Sequence, residues 1–357
     1  MILVGVFAIL PAHNEEKNIG NAVKDLLLQT VKIEKIIVVA DNCSDGTVEE
    51  VKRLCSEYAD IELMETKGNH YRKAGAINMA IDVISDEDCE FLLVMDSDSR
   101  VALDLVERAM ESFESEENLG GVCSTAHVIK PQNLPSSWIR NLEARFMGAL
   151  QRLEYAGFDA ERVATWNNVT ILHGLCAVYR FKAIKEAGGY TLGHLIEDYD
   201  LTVKLKKLGW QARFNPKMVA WTEVPLSLKS FFKQRLRWMR GGIDVLVDHG
   251  INRITIEDAF HHFLFICLLL AISGFIILSF IYHGEWRFGF NPHPIPILVA
   301  IIGYLISLYK LRYLKDARFS EIILRIIILP ELLIAIALMG VRTYAYFLAL
   351  FKCSQEW

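Results

Sequence analysis

Apolar runs of strand length alternate with segments of helical period between residues 4 and 126. Continuous apolar runs are typical of strands that are buried on both faces, and a period near 3.6 is typical of helices that pack on one face. The predicted strands are residues 4–10, 35–40, 61–65, 91–95 and 121–126, and the predicted helices are 18–29, 47–58, 73–84 and 103–113. This alternation predicts an α/β fold with a mostly parallel sheet and helices on both faces. Ligands of such sheets bind beyond the carboxyl ends of the strands.

Further helical and strand patterns follow, and then a long apolar region. Residues 136–160 have a helical period with an aromatic and basic face, 173–180 resemble a strand, and 201–208 are helical. Three apolar blocks then occupy residues 260–282, 294–309 and 322–351. About 20 apolar residues are needed to span a bilayer, so we expect about three membrane helices, with an interfacial helix at 319–331 as the alternative for the start of the third block.

Positive charge sets the expected orientation of these helices. Lys310, Arg312, Lys315 and Arg318 lie between the second and third blocks, whereas residues 283–293 carry little positive charge. Positively charged loops stay in the cytoplasm, so we expect a multi-pass protein of the cell membrane with a cytoplasmic N-terminal domain. The predicted division is an α/β domain at 1–225, an interfacial amphipathic region at 226–258 and a membrane region at 259–357.

Composition narrows the class of protein. The 357-residue chain is 52% apolar, with most of the excess after about position 259, and its net charge of −5 argues against a nucleic-acid partner. Seven scattered cysteines without a C-x-x-C pair suggest neither a zinc site nor a disulfide framework, so a reducing compartment is expected. The first residues are too few and too uncharged for a signal peptide.

Two acidic motifs come directly after predicted strands. The Asp41 carboxylate is a candidate acceptor for a pyrimidine ring N–H, or belongs to an ordinary turn in which Asp45 or Ser44 caps the next helix. Asp96 and Asp98 are separated by one residue, so they are candidate ligands of a hard divalent cation that bridges diphosphate oxygens. The alternative for this pair is turn chemistry. The buried strand before Asp96 favours the metal site.

Two later motifs supply a candidate base and a candidate substrate clamp. Glu197 and Asp198 precede a helical pattern, so they either cap it or provide a general base for an acceptor hydroxyl. Gln234, Arg237 and Trp238 lie in a basic amphipathic segment that also suits a membrane surface. An indole face can stack on a sugar, a guanidinium can grip a phosphate, and an amide can bind hydroxyls.

Several weaker signals point to the same edge of the predicted sheet. Lys73 lies at a helix start, a position that can bind a diphosphate. Arg342 lies within an apolar block, where a charged side chain costs free energy, so it is also a functional candidate. The remaining candidates, each at the end or start of a strand, are Pro11, Ala12, Asn14, Glu15, His173 and Gly174.

As an ordered set, these motifs resemble the family 2 inverting glycosyltransferases of GT-A fold. The similarity is greatest to the membrane-integrated branch that contains cellulose, chitin, hyaluronan and poly-N-acetylglucosamine synthases and ceramide glucosyltransferase. The resemblance implies that Asp41 binds uracil, that Asp96 and Asp98 bind Mg²⁺ or Mn²⁺ with the diphosphate, and that Asp198 is the base. Gln234, Arg237 and Trp238 would frame the acceptor and the diphosphate.

The chain departs from the family pattern at two motifs and in its architecture. The usual Asp-Asp-Gly is Ala40-Asp41-Asn42, and the usual Thr-Glu-Asp begins with Ile196. No apolar span precedes the α/β domain, which places processive polymer synthesis in doubt.

We therefore expect a UDP-sugar donor of the glucose or N-acetylglucosamine type and transfer with inversion to a glycan acceptor, with polysaccharide synthesis as one outcome. Single-sugar transfer to a lipid acceptor and a catalytically silent membrane scaffold are the alternatives. Membrane lipids and a homo-oligomer are further expected partners.

Overall fold

The large sheet of the α/β domain is mostly parallel, as predicted, with one antiparallel strand. The computed structural model describes residues 5–131, 134–283, 294–327 and 329–351. Within them ten strands follow in chain order: β1 (Val6–Ala12), β2 (Lys35–Ala40), β3 (Ile61–Glu65), β4 (Phe91–Met95), β5 (Arg100–Val101), β6 (Leu119–Cys123), β7 (His127–Val128), β8 (Cys176–Arg180), β9 (Gln211–Phe214) and β10 (Ala220–Thr222). Seven form a sheet of order β3-β2-β1-β4-β8-β6-β9, and three form a small sheet of order β5-β10-β7. In the large sheet, β8 runs antiparallel to both of its neighbours.

Helices cover both faces of the large sheet, as the alternating pattern predicts. In the described chain they are α1 (Ile19–Leu27), α2 (Thr47–Glu57), α3 (Arg72–Val83), α4 (Leu105–Ser115), α5 (Trp138–Ala164), α6 (Phe181–Glu186), α7 (Glu197–Lys207), α8 (Leu228–His249), α9 (Ile256–His283), α10 (Pro294–Tyr309), α11 (Phe319–Ile327) and α12 (Leu329–Leu350). A 3₁₀ helix, Lys310–Tyr313, follows α10. Leu26 and Val106 belong to one buried cluster, and Ile77 and Leu205 belong to a second one. The two clusters are the cores on opposite faces of the sheet.

The observed strand boundaries match the predicted ones for three strands and differ by two or three residues for β1 and β6. β2, β3 and β4 have the predicted bounds, and every residue of β4 is buried. β6 begins two residues earlier than predicted and ends at Cys123. A Cβ atom on Gly120 would lie 2.7 Å from the Cβ of Trp210, so this glycine permits close packing within the strand rather than a turn.

The carboxyl ends of β1, β2 and β4 lie at one edge of the sheet because these strands are parallel. Asp41 follows β2 and Asp96 follows β4 at this edge. The Asp96 backbone N–H donates to the carbonyl oxygen of Leu175 (3.0 Å), so the turn before β8 reaches the same place. The observed strand β8 begins at Cys176, whereas the predicted strand begins at residue 173. Residues 173–175 lie over the sheet edge instead.

The C-terminal helices pack on α5 and α8. Arg152 on α5 pairs with the fully buried Glu321 on α11, at 2.6 Å. Arg325 on α11 pairs with Glu331 at 2.8 Å and donates to the carbonyl oxygen of Leu153 at 3.1 Å. Arg325 and Glu331, two of the three charged residues in the third apolar block, are thus ion-pair partners. The short helix α11 lies where the alternative at 319–331 places an interfacial helix.

One helix in the described part of the chain, α12, is long and apolar enough to cross a membrane by length and composition. The multi-pass topology goes beyond this finding and stays a prediction. Apolar side chains on α9 and α12, such as Phe263 and Leu333, are more than half exposed. Exposed apolar surface of this kind marks a lipid or protein contact. Arg342 on α12 lies over the ring of Phe265, 4.6 Å from its centroid.

Candidate active site

A cavity of about 580 Å³ opens at the sheet edge where β4 ends. Its walls come from the start of α3, the turn after β4, residues 171–175 and the start of α7, together with parts of α5 and α8. Ten of the predicted site residues line it: Lys73, Asp96, Asp98, His173, Gly174, Glu197, Asp198, Gln234, Arg237 and Trp238. Segments that are more than 160 residues apart in the sequence therefore meet around one space.

The other five predicted site residues lie outside the lining of this cavity, at or just after the ends of β1 and β2. They are Pro11, Ala12, Asn14, Glu15 and Asp41. The Asp41 backbone N–H donates to the Ala12 carbonyl oxygen at 2.7 Å, and the Asn14 side-chain oxygen accepts from the Ser44 backbone N–H at 2.8 Å. These bonds hold the two loops together beside the cavity.

The Asp41 carboxylate is fixed by neighbouring donors. Its Oδ1 accepts from Thr66 Oγ1 at 2.7 Å, from Asn69 Nδ2 at 2.9 Å and from Asn42 Nδ2 at 3.0 Å. Its Oδ2 has no hydrogen-bond partner in the described part of the chain. Because Asn69 precedes α3, which carries Lys73 into the cavity, the Asp41 region and the cavity are adjacent. The Asp45 carboxylate accepts from the Thr47 backbone N–H at 3.1 Å, which is the turn chemistry expected for the start of α2.

Lys73 is the cation that joins the acidic groups of the cavity. Its Nζ donates to Asp96 Oδ1 at 2.5 Å and to the Gly174 carbonyl oxygen at 3.1 Å, and it lies 3.5 Å from Glu197 Oε1. Burial alone would lower the pKa of Lys73, but the nearby carboxylates of Asp96 and Glu197 outweigh it and raise the pKa above the usual value. Lys73 is therefore charged and connects α3 with the ends of β4 and α7.

Asp96 and Asp98 both line the cavity, and the acidic groups crowded around them would favour a divalent cation. Burial raises the pKa of Asp98 to about 7, and the charges of Asp96, Glu15 and Glu223 add to this effect. Burial also raises the pKa of Glu15. Among the described residues, no group of three or more His, Cys, Asp or Glu side chains has metal-binding geometry. The pair would thus supply two ligands, and diphosphate oxygens and water would complete the shell, as is usual for Mg²⁺.

Asp198 is held by backbone donors at the start of α7. Its Oδ2 accepts from the Gly174 N–H at 2.8 Å, and its Oδ1 accepts from the Tyr199 N–H at 2.9 Å. The residue before the helix, Ile196, makes no side-chain capping bond. Burial and the adjacent Glu197 raise the pKa of Asp198 to about 6, while Lys73 and the two N–H groups limit the rise. Asp198 is thus a carboxylate near neutral pH with some affinity for a proton.

His173 is neutral and has one defined tautomer. Its Nε2 lies 2.7 Å from the Ser124 carbonyl oxygen, which can only accept, so Nε2 carries the proton. Burial and the nearby Arg162 lower the pKa of His173 to about 3. The bare Nδ1 is buried without a hydrogen-bond partner in the described residues. His173 is therefore an acceptor rather than a cation on the cavity wall.

Arg235 is a functional candidate to which the sequence motifs assigned no role. It is only 3% exposed, and its Nη2 lies 2.5 Å from Glu154 Oε2 on α5. Its Nη1 donates to Gln234 Oε1 at 2.7 Å, and its guanidinium carbon lies 4.0 Å from the ring centroid of Trp238. Arg235 thus orients two predicted substrate-binding side chains. The amphipathic pattern favoured a basic helix on a membrane surface, and no local pattern showed that Arg235 packs against Glu154.

Arg237 and several α5 residues complete the wall. Arg237 Nη1 donates to the Leu195 carbonyl oxygen at 3.1 Å, so part of its guanidinium is engaged by the protein. Tyr155, Phe158 and Arg162 of α5 line the cavity although no motif identified them. An acidic centre with a positioned cation, a candidate base and an aromatic clamp can bind an anionic donor and a hydroxyl-bearing acceptor.

Comparison with known proteins agrees with this class of fold and site. The family described as Glycosyl transferase family 2 matches residues 7–188, about half of the chain, and the protein belongs to this family. Poly-beta-1,6-N-acetyl-D-glucosamine synthase of Staphylococcus aureus (strain COL) is 26% identical over 250 residues, which cover 69% of this chain and 56% of the relative. The synthase of the same name from Staphylococcus epidermidis is 24% identical over 246 residues, with 68% and 56% covered. The aligned part is thus just over half the length of these relatives.

A solved structure with a similar fold covers nearly the whole chain. It is the mannosyltransferase PcManGT from Pyrobaculum calidifontis in complex with GDP-Man and Mn²⁺, with a TM-score of 0.60 and 16% identity, covering 98% of this chain and 88% of that one. At this identity the likeness shows the fold alone. The predicted GT-A class, with a mostly parallel sheet and helices on both faces, is confirmed.

Proposed function

We propose that this protein is a membrane-bound, metal-dependent inverting glycosyltransferase that moves glucose or N-acetylglucosamine from a UDP-sugar to a glycan hydroxyl. One observation carries the proposal: Asp198, Asp96 and Trp238 line the same cavity in a family 2 glycosyltransferase. The related poly-N-acetylglucosamine synthases support N-acetylglucosamine as the sugar and polysaccharide synthesis as the outcome.

The donor is proposed to bind along the sheet edge. Asp41 Oδ2 accepts from the uracil ring, and Lys73 lies at the diphosphate. Asp96 and Asp98 would hold Mg²⁺ or Mn²⁺, which neutralises charge on the leaving diphosphate. The Mn²⁺ bound to PcManGT supports the use of a divalent ion.

The transfer needs a general base and side chains that hold the two substrates in position. The Asp198 carboxylate takes the proton of the acceptor hydroxyl, whose oxygen attacks the anomeric carbon from the face opposite the diphosphate. The bond from that carbon to the diphosphate oxygen breaks, and UDP leaves with the electron pair. Trp238 stacks on the acceptor sugar, while Gln234 and Arg237 bind hydroxyls or phosphate. The carbon is inverted, so an α-linked donor gives a β-linked product.

Membrane attachment is proposed for the C-terminal part. The apolar helix α12 and the exposed apolar side chains of α9 support it. The proposed organisation is a cytoplasmic glycosyltransferase domain at 1–225, an interfacial region at 226–258 and membrane helices at 259–357.

The test is UDP release by the full chain in membranes. UDP-glucose and UDP-N-acetylglucosamine are supplied with Mn²⁺, with Mg²⁺ or with EDTA, and products are separated into lipid and aqueous phases. We expect release that requires the divalent ion, and labelled sugar in an aqueous glycan. No metal-dependent release from either donor would refute the proposal, and label confined to the lipid phase would refute the glycan acceptor.

A further inference from the structure

The cavity extends past Asp198 to α9, into a region that the proposed reaction does not use. Residues of three helices line this extension: Tyr199 on α7, Gly242 and Leu246 on α8, and Asp258 and His262 on α9. We call it the α9 arm of the cavity. Because Tyr199 directly follows Asp198, the arm begins where the acceptor hydroxyl would lie.

Two polar side chains on the wall of the arm are held in place. Asp258 and His262 are four residues apart on α9 and so share one face of the helix. The Tyr199 hydroxyl donates to Asp258 Oδ2, and His262 Nδ1 is hydrogen-bonded to the Tyr346 hydroxyl on α12. Asp258 Oδ1 and His262 Nε2 have no hydrogen-bond partner among the residues that the structure describes. A carboxylate oxygen and a ring nitrogen are therefore available to a ligand.

Two consecutive glycines of α8 shape the opposite wall. Each glycine inside a helix costs roughly 0.5–1 kcal/mol relative to alanine, so the pair needs a structural reason. A Cβ on Gly241 would lie 2.8 Å from Ile196 Cγ1 and 3.1 Å from Leu195 Cβ, so this glycine lets α8 pack against the segment before α7. A Cβ on Gly242 would meet nothing within 4 Å. Gly242 therefore leaves open space in the arm.

We infer that the α9 arm binds the acceptor sugar that precedes the one carrying the reacting hydroxyl. The inference rests on the proposed function and adds the class of acceptor. Hydroxyls of a sugar can pair with Asp258 Oδ1 and His262 Nε2, and the space at Gly242 admits the ring. A hydrocarbon chain in this place would leave both polar groups unpaired, at about 1–3 kcal/mol each. The arm therefore selects an acceptor of at least two sugar rings.

The experiment compares acceptors of different length in two variants of the full chain in membranes. Gly242→Leu fills the arm, and Asp258→Asn replaces a hydrogen-bonding oxygen with little change in size. Val247→Leu is the matched control, because Val247 lies on the same helix, is 74% exposed and is outside the cavity lining. UDP binding and thermal unfolding show that each variant is folded. The measured quantity is kcat/KM for an N-acetylglucosamine tetrasaccharide divided by that for the monosaccharide.

We expect this ratio to fall about 10-fold or more in Asp258→Asn, the equivalent of losing one hydrogen bond. We expect a fall of about the same size or more in Gly242→Leu, because the added side chain fills the space for the sugar ring. The ratio should keep its wild-type value in Val247→Leu. A wild-type ratio in both variants would overturn the inference. Wild-type protein that releases no UDP would instead refute the proposed function, so the two failures are distinguishable.

Discussion

Asp198→Asn removes the proposed base while keeping the size of the side chain. The neutral amide cannot take the proton of the acceptor hydroxyl. A positioned general base typically contributes ~10²–10⁴ in rate, so turnover should fall by about that factor. Binding of UDP should persist because Asp198 lies on the acceptor side of the proposed reaction.

The same substitution has two opposing effects on stability. Burial and the adjacent Glu197 raise the pKa of Asp198 to about 6, so its charge is a cost to the folded state at neutral pH, which the amide avoids. An asparagine has one acceptor oxygen, so only one of the Gly174 and Tyr199 N–H groups stays paired, at a cost of about 1–3 kcal/mol. The free energy of unfolding at pH 7 should therefore change little, although turnover collapses.

The pH dependence follows from the same carboxyl. Asp198 acts as a base only when ionised, so turnover should rise as the pH rises through about 6. Because its pKa is higher in the folded state than in the unfolded one, its stabilising contribution is full below pH 3.8 and is lost as the pH rises through about 6. In Asp198→Asn this part of the pH dependence of stability should disappear.

The assay is UDP release with saturating donor and acceptor, together with thermal unfolding between pH 4 and 8. Asp200→Asn is the control, because Asp200 lies on the same helix, is buried and is outside the cavity lining. Its turnover should stay close to that of the wild type. Full turnover by Asp198→Asn would refute the assignment of the base.

Three further predictions concern other parts of the site. Asp98→Ala should reduce UDP release at least about 100-fold at any Mn²⁺ concentration, since the diphosphate charge is no longer neutralised; full rescue by excess Mn²⁺ would contradict this ligand role. Asp41→Ala should weaken UDP binding about 10- to 100-fold in calorimetry, the equivalent of one hydrogen bond to a charged group, and unchanged affinity would show that uracil binds elsewhere. Arg235→Met should lower the free energy of unfolding by about 3–5 kcal/mol because Glu154 loses its partner. Adding Glu154→Gln should recover much of that loss, and additive losses in the double variant would argue against the pair.

The sequence predicted the bounds of β2, β3 and β4, and ten of its candidate site residues line the cavity. The strand Phe91–Met95 is apolar throughout because both of its faces are buried, so its bounds could be read directly. The direction of β8 could not be predicted, because an apolar run has the same sequence pattern in a parallel and in an antiparallel strand. The two-residue strands β5 and β7 are too short to show any period.

Contacts between side chains that are far apart in the sequence were the other feature that the sequence did not predict. Arg235 and Arg237 are both basic residues on one amphipathic helix, and no local pattern shows that Arg235 is buried against Glu154 while Arg237 faces the cavity. Lys73 was expected at a diphosphate, and the structure adds its contact with Asp96, which depends on how α3 meets β4. The roles of all these residues stay predictions until the variants are measured.

The helix α5 belongs to two parts of the molecule at once. Tyr155 and Arg162 form the cavity wall, whereas Arg152 and Glu161 of the same helix pair with Glu321 and Lys310 in the C-terminal region. Because one helix contributes to both the cavity wall and the C-terminal region, these two parts of the molecule are held in a fixed relative position. If lipid surrounds the C-terminal helices, the catalytic centre would hold a constant height and tilt above the bilayer, and every new bond would form at the same depth.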